Sequence, residues 1–118
     1  MTQPAPPSRA AAIAQLAAAA NRCVVFQTAV CVLDSASGEQ RARLVPTVVE
    51  FRDLSAARIA AYVDSEPAFD CAGAFKAEAL GIALCRRITS DDPTALIGLP
   101  LVALVDLLES FGVSPLGA

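Results

Sequence analysis

The chain has 118 residues, of which 55 % are hydrophobic and 18 % are charged, and its net charge is −3. This length suits a single domain (1–118) with one modest core, and the high apolar content argues against intrinsic disorder. The small acidic excess argues against a nonspecific nucleic-acid binder, because such proteins need clustered cations.

The sequence contains no segment typical of a membrane span or a secretion signal. Its longest apolar run, residues 10–20, is rich in alanine and interrupted by Gln15, so it is too short and too weakly hydrophobic to cross a bilayer. The chain does not open with a basic segment followed by a leucine-rich one, as secretion signals do. We therefore expect neither secretion nor a membrane partner.

The cysteine and histidine content of the chain excludes several kinds of metal site and catalytic site. The four cysteines stand far apart among apolar residues, which predicts buried, reduced thiols: Cys23, Cys31, Cys71 and Cys85. The chain has no histidine, so zinc sites built from Cys and His are excluded, and so are catalytic pairs in which His activates Ser or Cys.

The first half of the chain predicts a helix followed by a long hairpin. The proline-rich residues 1–7 should be extended, and Ser8 is a suitable N-cap for a helix over about 9–20. Two runs rich in β-branched residues, 22–35 and 42–54, flank a turn centred on Gly38, which predicts an antiparallel hairpin. Pro46 cannot donate to a ladder, so the second strand should be an edge or bulged there.

The second half predicts a helix, a strand and a further helix. Leu54 and Ile59 flank Ser55 at the spacing of a hydrophobic staple, which indicates a helix ending near Asp64. A short apolar strand is expected over about 80–88, and a last helix should begin near Pro100 and end before Gly112. This order of elements indicates a mixed α/β fold.

Three groups of polar or backbone atoms are secondary site candidates. Asp91 and Asp92 could bind Mg²⁺ as paired carboxylates, but Asp before proline is typical of turns, and we favour the turn. Arg86 and Arg87 could bind phosphate, but adjacent strand residues face opposite sides, which favours surface placement. The segment "IGLP", residues 97–100, could present N–H groups to an anion, yet we favour a tight entry to the last helix.

The continuous stretch from Phe51 to Val113, which includes "DCAGAFKAEALGI" and "ITSDDPTALIGLPLVALVDLLESFGV", resembles the C-terminal half of the Maf, or septum-formation-inhibitor, family of nucleoside triphosphate pyrophosphatases. The form "CAGAFKAE" resembles the branch that acts on 7-methyl-GTP. This resemblance covers residues 8–118. It implies a Maf/ITPase-like α/β fold and a cytoplasmic hydrolase that uses a divalent metal, Mg²⁺ or Mn²⁺. The implied reaction converts a nucleoside triphosphate to the monophosphate and pyrophosphate, with no nucleic-acid polymer as partner.

The sequence also departs from the family pattern at several positions. Family members open with a Ser-x-x-Arg-Arg phosphate loop and carry a catalytic aspartate and a Gly-Lys-Pro segment before the helix that here starts near Ser8. This chain has "PAP", residues 4–6, where Gly-Lys-Pro would fall, and Ala79 stands where the family usually has Gly. We therefore expect the N-terminal half, with the general base, to be missing here.

Lys76, the only lysine of the chain, and Glu78 match the family's "FKxE" positions and are the predicted substrate-binding residues. Lys76 would contact a phosphate, and Glu78 would hydrogen-bond a base edge or lie near the metal. The alternative is that both are solvated loop charges. The predicted function is a nucleotide pyrophosphatase whose oligomeric state, including a homo-oligomer, stays open. The alternative is a catalytically incomplete remnant or interaction module that packs against a partner.

Overall fold

The computed structural model describes residue 5, residues 7–65 and residues 80–117. Within these ranges lie three α-helices: α1 (Arg9–Ala19), α2 (Ala56–Ser65) and α3 (Leu101–Ser110). The same ranges contain three strands: β1 (Cys23–Leu33), β2 (Gln40–Phe51) and β3 (Cys85–Thr89). The predicted mixed α/β fold is therefore confirmed. No helix in the described ranges has both the length and the apolar character needed to cross a bilayer.

The strands form one antiparallel sheet in the order β1-β2-β3. The turn between β1 and β2 is closed by backbone hydrogen bonds of 2.8 Å, one of which runs from the Gly38 N–H to the Asp34 carbonyl. Gly38 adopts a φ of 76°, in the left-handed region that glycine occupies without steric cost. The predicted hairpin with its turn at Gly38 is confirmed.

Strand β2 is the central strand of the sheet, but the part of β2 that contains Pro46 is not paired with β3. The β2–β3 register runs from the pair Val48–Thr89 to the pair Phe51–Cys85, so the paired segment begins beyond Pro46. Within the β2–β3 pairing, the register irregularity lies between Glu50 and Phe51. Of the two predicted arrangements, an edge or a bulge, the structure shows the edge: at Pro46, β2 is not paired with β3. A residue without an N–H to donate is tolerated at such a position.

The residue contacts divide the chain into two compact units. Strands β1 and β2 each contribute residues to both units. The described parts of Met1–Phe26 and Val48–Thr89 form unit 1. Gln27–Thr47 and the described part of Ser90–Ala118 form unit 2.

Unit 1 packs α1 against α2. Helix α1 begins as predicted: the Ser8 hydroxyl accepts a 3.2 Å hydrogen bond from the Ala11 N–H, which satisfies a backbone donor that the helix itself cannot pair. Helix α2 begins in the same way, since the Ser55 hydroxyl accepts from the Arg58 N–H. Arg9 joins the two helices through two hydrogen bonds to Asp64, of 2.7 and 3.1 Å.

Unit 2 has its own buried cluster, formed by Val30, Val45, Ala95, Ala103 and Leu107. Helix α3 ends as predicted, because Gly112 at a φ of 81° lets the Val113 N–H reach the Leu108 carbonyl at 2.9 Å. The Arg41 guanidinium donates to the Ser110 carbonyl at 2.7 Å. That cation thus stabilises the negative end of the helix dipole.

Two predictions about this fold are wrong. The run predicted as one strand over 80–88 is a 3₁₀-helix, Leu80–Leu84, followed by β3, because a short apolar run does not by itself distinguish helix from strand. Of the three described cysteines, Cys85 is buried, but Cys23 and Cys31 are exposed. Cys71 lies outside the described residues. Burial raises the pKa of the Cys85 thiol to about 11, which makes it a poor nucleophile at neutral pH.

Gln15 on α1 provides a test of the unit 1 packing. Its Oε1 is buried and has no hydrogen-bond partner among the residues that the structure describes, and an unsatisfied buried acceptor costs about 1–3 kcal/mol. Gln15→Leu should therefore stabilise the chain by about 1 kcal/mol, since Leu and Gln have similar helix propensities. Thermal unfolding measures the change, with Gln27→Leu on an exposed part of β1 as control. An equal or lower midpoint for Gln15→Leu than for the parent would contradict this packing.

Candidate functional site

The predicted substrate-binding residues Lys76 and Glu78 lie in residues 66–79, outside the described ranges. Their assignment therefore stays a prediction. The described chain stops at the end of α2, Ser65, and resumes at Leu80, where the 3₁₀-helix begins. Among the described residues, the candidate sites are two cavities, one in each unit. The arginines of β3, Arg86 and Arg87, are considered after them.

The cavity in unit 1 has a volume of about 370 Å³ and lies between α2 and the 3₁₀-helix. Its walls are mainly apolar and include Leu54, Leu80 and Leu84, with the aromatic side chain of Tyr62. Among the described residues of this lining, Arg58 is the one that carries a charge. Apolar walls with a few polar groups are typical of small-molecule sites, and this combination suits a ring that carries a negative group.

The cavity in unit 2 is smaller, about 200 Å³, and much more charged. Its lining contains three carboxylates, from Asp91, Asp92 and Asp106, and the guanidinium of Arg43. Arg43 Nη1 lies 2.8 Å from the Asp106 carboxylate, and both side chains are about half exposed. Asp91 is exposed, whereas Asp92 is only 3 % exposed. The three carboxylates therefore occupy different environments.

Both carboxylate oxygens of Asp92 are engaged by the protein itself. Oδ1 accepts from the Thr94 hydroxyl at 2.8 Å and from the Thr94 N–H at 3.3 Å. Oδ2 accepts from the N–H of Ala103, in the first turn of α3, at 2.9 Å. Ser90 completes the turn by accepting from the Asp92 N–H at 3.1 Å. The favoured turn interpretation of this segment is confirmed, and its carboxylate also caps a helix.

These hydrogen bonds decide the ionisation of Asp92. Burial alone would raise the pKa of its carboxyl, but the donors from Ala103, Thr94 and Val102 together lower the pKa below its usual value. An ionised carboxylate is therefore the stable form at neutral pH. It serves as a fixed acceptor for backbone donors rather than as a proton donor.

The described residues do not fit a divalent metal. Among them no group of three carboxylate or thiolate side chains is arranged to hold an ion, and the Asp92 oxygens already accept from Ala103 and Thr94. Asp106 is paired with Arg43. Mg²⁺ needs oxygen ligands that are free to coordinate it, and the favoured turn at Asp91–Asp92 uses the Asp92 oxygens internally.

The segment "IGLP" leads directly into α3. Pro100 is the N-cap residue and contributes no capping side chain, so other residues satisfy the first turn. Thr94 Oγ1 accepts from the Leu101 N–H at 2.8 Å, and Asp92 accepts from Ala103. The helix N-terminus is thus occupied by internal acceptors, and its N–H groups are not free to bind an external anion.

Arg86 and Arg87 are both exposed on β3, as favoured from the sequence. Arg86 Nη1 lies 3.5 Å from Glu50 Oε1, a long contact between exposed groups. Glu50 is also the backbone partner of Arg87 in the β2–β3 register. The arrangement forms a charged patch on the sheet surface and not a bidentate anion clamp.

The role of Asp92 in capping α3 was missed from the sequence. A carboxylate eleven residues before Ala103 lies outside the local spacing that defines capping boxes. The available signal was indirect: Pro100 stands at the helix start with no Ser, Thr, Asp or Asn beside it. A helix start without a local cap needs an acceptor from elsewhere in the chain.

Comparisons with known proteins give a consistent result. A family model described as Maf-like protein matches residues 3–111. The 7-methyl-GTP pyrophosphatase of Thiobacillus denitrificans is 52 % identical over 105 residues, which cover 89 % of this chain and 52 % of the relative. The 7-methyl-GTP pyrophosphatase of Paraburkholderia xenovorans is 50 % identical over 113 residues, covering 96 % of this chain and 55 % of the relative. The chain spans about half the length of the curated relatives it matches.

Proposed function

The chain belongs to the Maf family, and from this membership we propose that it provides one part of a nucleoside triphosphate pyrophosphatase that acts on a modified nucleotide such as 7-methyl-GTP. One observation carries the proposal. Relatives named for that activity are about half identical to this chain over roughly nine tenths of its length. The proposal assigns the protein to the cytoplasm, with a nucleoside triphosphate as its partner and no nucleic-acid polymer.

The proposed reaction is attack of water on a phosphoryl group, which releases the monophosphate and pyrophosphate. Such reactions depend mainly on positioning and on stabilisation of developing charge. In this proposal Lys76 binds a phosphate oxygen and Glu78 accepts a hydrogen bond from the base edge or lies near the metal. A bound Mg²⁺ or Mn²⁺ would supply charge neutralisation. In this proposal the metal ligands and the general base come from other parts of the complete site, as the resemblance to the family implies.

The unit 1 cavity supports a binding role for this chain. Its lining combines apolar walls and an aromatic side chain with one guanidinium, that of Arg58. This composition suits a ring-bearing anion better than a purely apolar ligand or a cation. The unit 2 cavity does not have this character, because its carboxylates outnumber its single arginine.

The test uses a fusion of this chain to the part of the Thiobacillus denitrificans relative that it does not match, in the order of the relative. We call this fusion the joined protein. With 7-methyl-GTP and Mg²⁺, it should form 7-methyl-GMP and pyrophosphate in equal amounts, and chelation of the metal should stop the reaction. The 118-residue chain alone should release no pyrophosphate, because positioning and charge stabilisation are incomplete.

Three results would contradict this proposal. Formation of the nucleoside diphosphate and inorganic phosphate would show cleavage between the β- and γ-phosphates. The proposed reaction cleaves between the α- and β-phosphates. Clear turnover by the purified chain alone would place a general base within it and direct the search to Asp70, Asp91 and Asp92. Absence of any turnover by the folded joined protein would favour the alternative function, an interaction module without catalysis.

A further inference from the structure

The charged residues of this chain are divided unevenly between its two units. The described part of unit 1 contains six arginines and three side-chain carboxylates, and residues 66–79 add one lysine and three carboxylates. The described part of unit 2 contains two arginines and six carboxylates. The negative net charge of the chain therefore comes from unit 2, and an anion is attracted to unit 1 rather than to unit 2.

Three arginines of unit 1 lie around one carboxylate on the outer side of the sheet. Glu50 of β2 is the register partner of Arg87 on β3, and the side chains of partnered residues lie on the same face. Arg86 reaches that face as well, because its Nη1 lies 3.5 Å from Glu50 Oε1. Val49 and Phe51, which flank Glu50 in β2, are buried, so this face is turned away from the core of unit 1.

Arg52 extends the group along the line of β2. Its N–H donates to the Leu84 carbonyl and its carbonyl accepts from the Asn21 N–H, both at 2.9 Å, so it continues the strand by one residue. Side chains two residues apart on an extended segment share a face, which places Arg52 beside Glu50. All three arginines are exposed. We call this group the arginine cluster: Arg52, Arg86 and Arg87.

The carboxylates beside the arginine cluster do not neutralise it. Among the residues that the structure describes, Arg86 is the one member of the cluster with an ion pair, and its distance to Glu50 is long at 3.5 Å. Asp53 is the other carboxylate next to the cluster in sequence. Three guanidiniums therefore face two carboxylates at most. Since each guanidinium has five N–H donors, the cluster can donate to an external anion.

The arrangement favours an anion that carries several charges. The guanidiniums stand on two neighbouring strands, about 4.8 Å apart, and do not form a clamp for one phosphate. A contact between exposed charges contributes only about 0.2–1 kcal/mol, so a single phosphate would bind weakly. An oligophosphate repeats its charge along a flexible chain and can contact both strands at once. A nucleic acid fits less well, because the chain as a whole is acidic.

We propose that the arginine cluster binds an oligophosphate of three or more phosphates, either free or as the triphosphate of a nucleotide. Its phosphate oxygens accept hydrogen bonds from Arg52 and Arg87. Glu50 limits the affinity, because its carboxylate repels the same anion. Binding here needs neither a metal nor a reaction, so the proposal goes beyond the proposed function and does not depend on it. Where the ligand is a nucleotide, the cluster raises its rate of encounter with the chain.

The experiment measures the binding of inorganic tripolyphosphate to the 118-residue chain by titration calorimetry, at low ionic strength and with a metal chelator. The test variant combines Arg52→Gln with Arg87→Gln. A second variant, Glu50→Gln, removes the carboxylate from the cluster. Arg43→Gln is the matched control, because Arg43 is a half-exposed arginine of unit 2 that is paired with Asp106. Melting curves show that each variant is folded.

The double variant should weaken tripolyphosphate binding by about fivefold or more, since two exposed charge contacts are lost. Glu50→Gln should strengthen binding by about twofold, and Arg43→Gln should leave it unchanged. Binding should weaken as the salt concentration rises. A second probe, 7-methyl-GTP, identifies the source of the phosphates. Tighter binding of 7-methyl-GTP that the double variant also weakens would identify a nucleotide, and equal binding of both probes would identify a free oligophosphate.

Two calorimetric results would overturn the proposal: no binding of tripolyphosphate by the folded parent, or equal binding by the parent and the double variant. Tighter binding of polyglutamate than of tripolyphosphate would overturn it as well, because the surface would then suit an acidic protein segment. None of these results bears on the proposed reaction, which is measured as pyrophosphate release by the joined protein.

Discussion

Replacement of Asp92 by asparagine should lower the melting temperature of the chain strongly, on the order of 10 °C. The substitution keeps the size of the side chain but removes the charge and one acceptor oxygen. The carboxylate accepts from the Ala103 N–H and from Thr94, so an asparagine side chain at this position would leave at least one nearly buried donor unsatisfied. An amide nitrogen cannot accept, so either Ala103 or Thr94 would lose its acceptor, and Pro100 supplies no side-chain acceptor in its place.

The effect of this substitution should depend on pH in a defined direction. The hydrogen bonds to Asp92 lower the pKa of its carboxyl below the ordinary value of 3.8. A group with a lowered folded-state pKa contributes stability that is complete above its unfolded pKa and is lost as the pH falls through the folded value. The difference in melting temperature between the parent and Asp92→Asn should therefore be constant near neutral pH and should shrink below about pH 4.

The matched control is Asp91→Asn, which removes the same charge from an exposed neighbour. Its melting temperature should differ little from that of the parent, since surface substitutions usually change stability by less than about 0.5 kcal/mol. Scanning calorimetry over a range of pH measures both variants. Equal effects of the two substitutions, or a difference that grows on acidification, would show that Asp92 does not cap α3.

Replacement of Glu78 by alanine in the joined protein should reduce kcat/KM for 7-methyl-GTP by about a hundredfold or more, with little change in melting temperature. A carboxylate that contacts the base or lies near the metal contributes a few kcal/mol in the transition state. The sequence around Glu78, "CAGAFKAEALG", consists mainly of small residues, from which we expect the substitution to cost little stability. Glu109→Ala, at an exposed position of α3, is the control and should leave kcat/KM unchanged.

Lys76→Ala in the same protein should mainly raise KM. A point charge on a phosphate binds the ground state and the transition state alike, so its loss weakens binding more than it slows the chemical step. Steady-state kinetics with melting curves separates these effects. If the kinetics of both variants stay close to those of the parent, Lys76 and Glu78 are solvated loop charges, and the site assignment is wrong.

The elements that the sequence predicted well have local signals. Ser8 and Ser55 stand where their helices begin, and Gly38 and Gly112 stand where a left-handed residue closes a turn or a helix. Each of these signals acts within a few residues of the structure that it specifies. The mixed α/β fold followed from the order of these elements, so it could be predicted without knowledge of the packing.

The predictions that failed depended on contacts between distant residues. Burial of Cys31 depends on which face of β1 packs against other elements, and Cys31 lies on the exposed one. The run at 80–88 has the composition of a strand, but its first residues form a 3₁₀-helix. The carboxylate of Asp92 caps α3 through the N–H of Ala103, which lies eleven residues later in the sequence. The assignment of Lys76 and Glu78 stays a prediction, which rests on resemblance to the family because no local physical rule separates a binding lysine from a solvated one.

The central claim is that this chain supplies part of a working pyrophosphatase site, and complementation tests it most directly. The separately produced unmatched part of the Thiobacillus denitrificans relative is assayed for pyrophosphate release from 7-methyl-GTP with and without this chain. We predict that the mixture exceeds the sum of the two separate rates by about a hundredfold or more, since the catalytic groups act only when positioned together. A mixture no faster than that sum, with both pieces folded and associated, would contradict the claim.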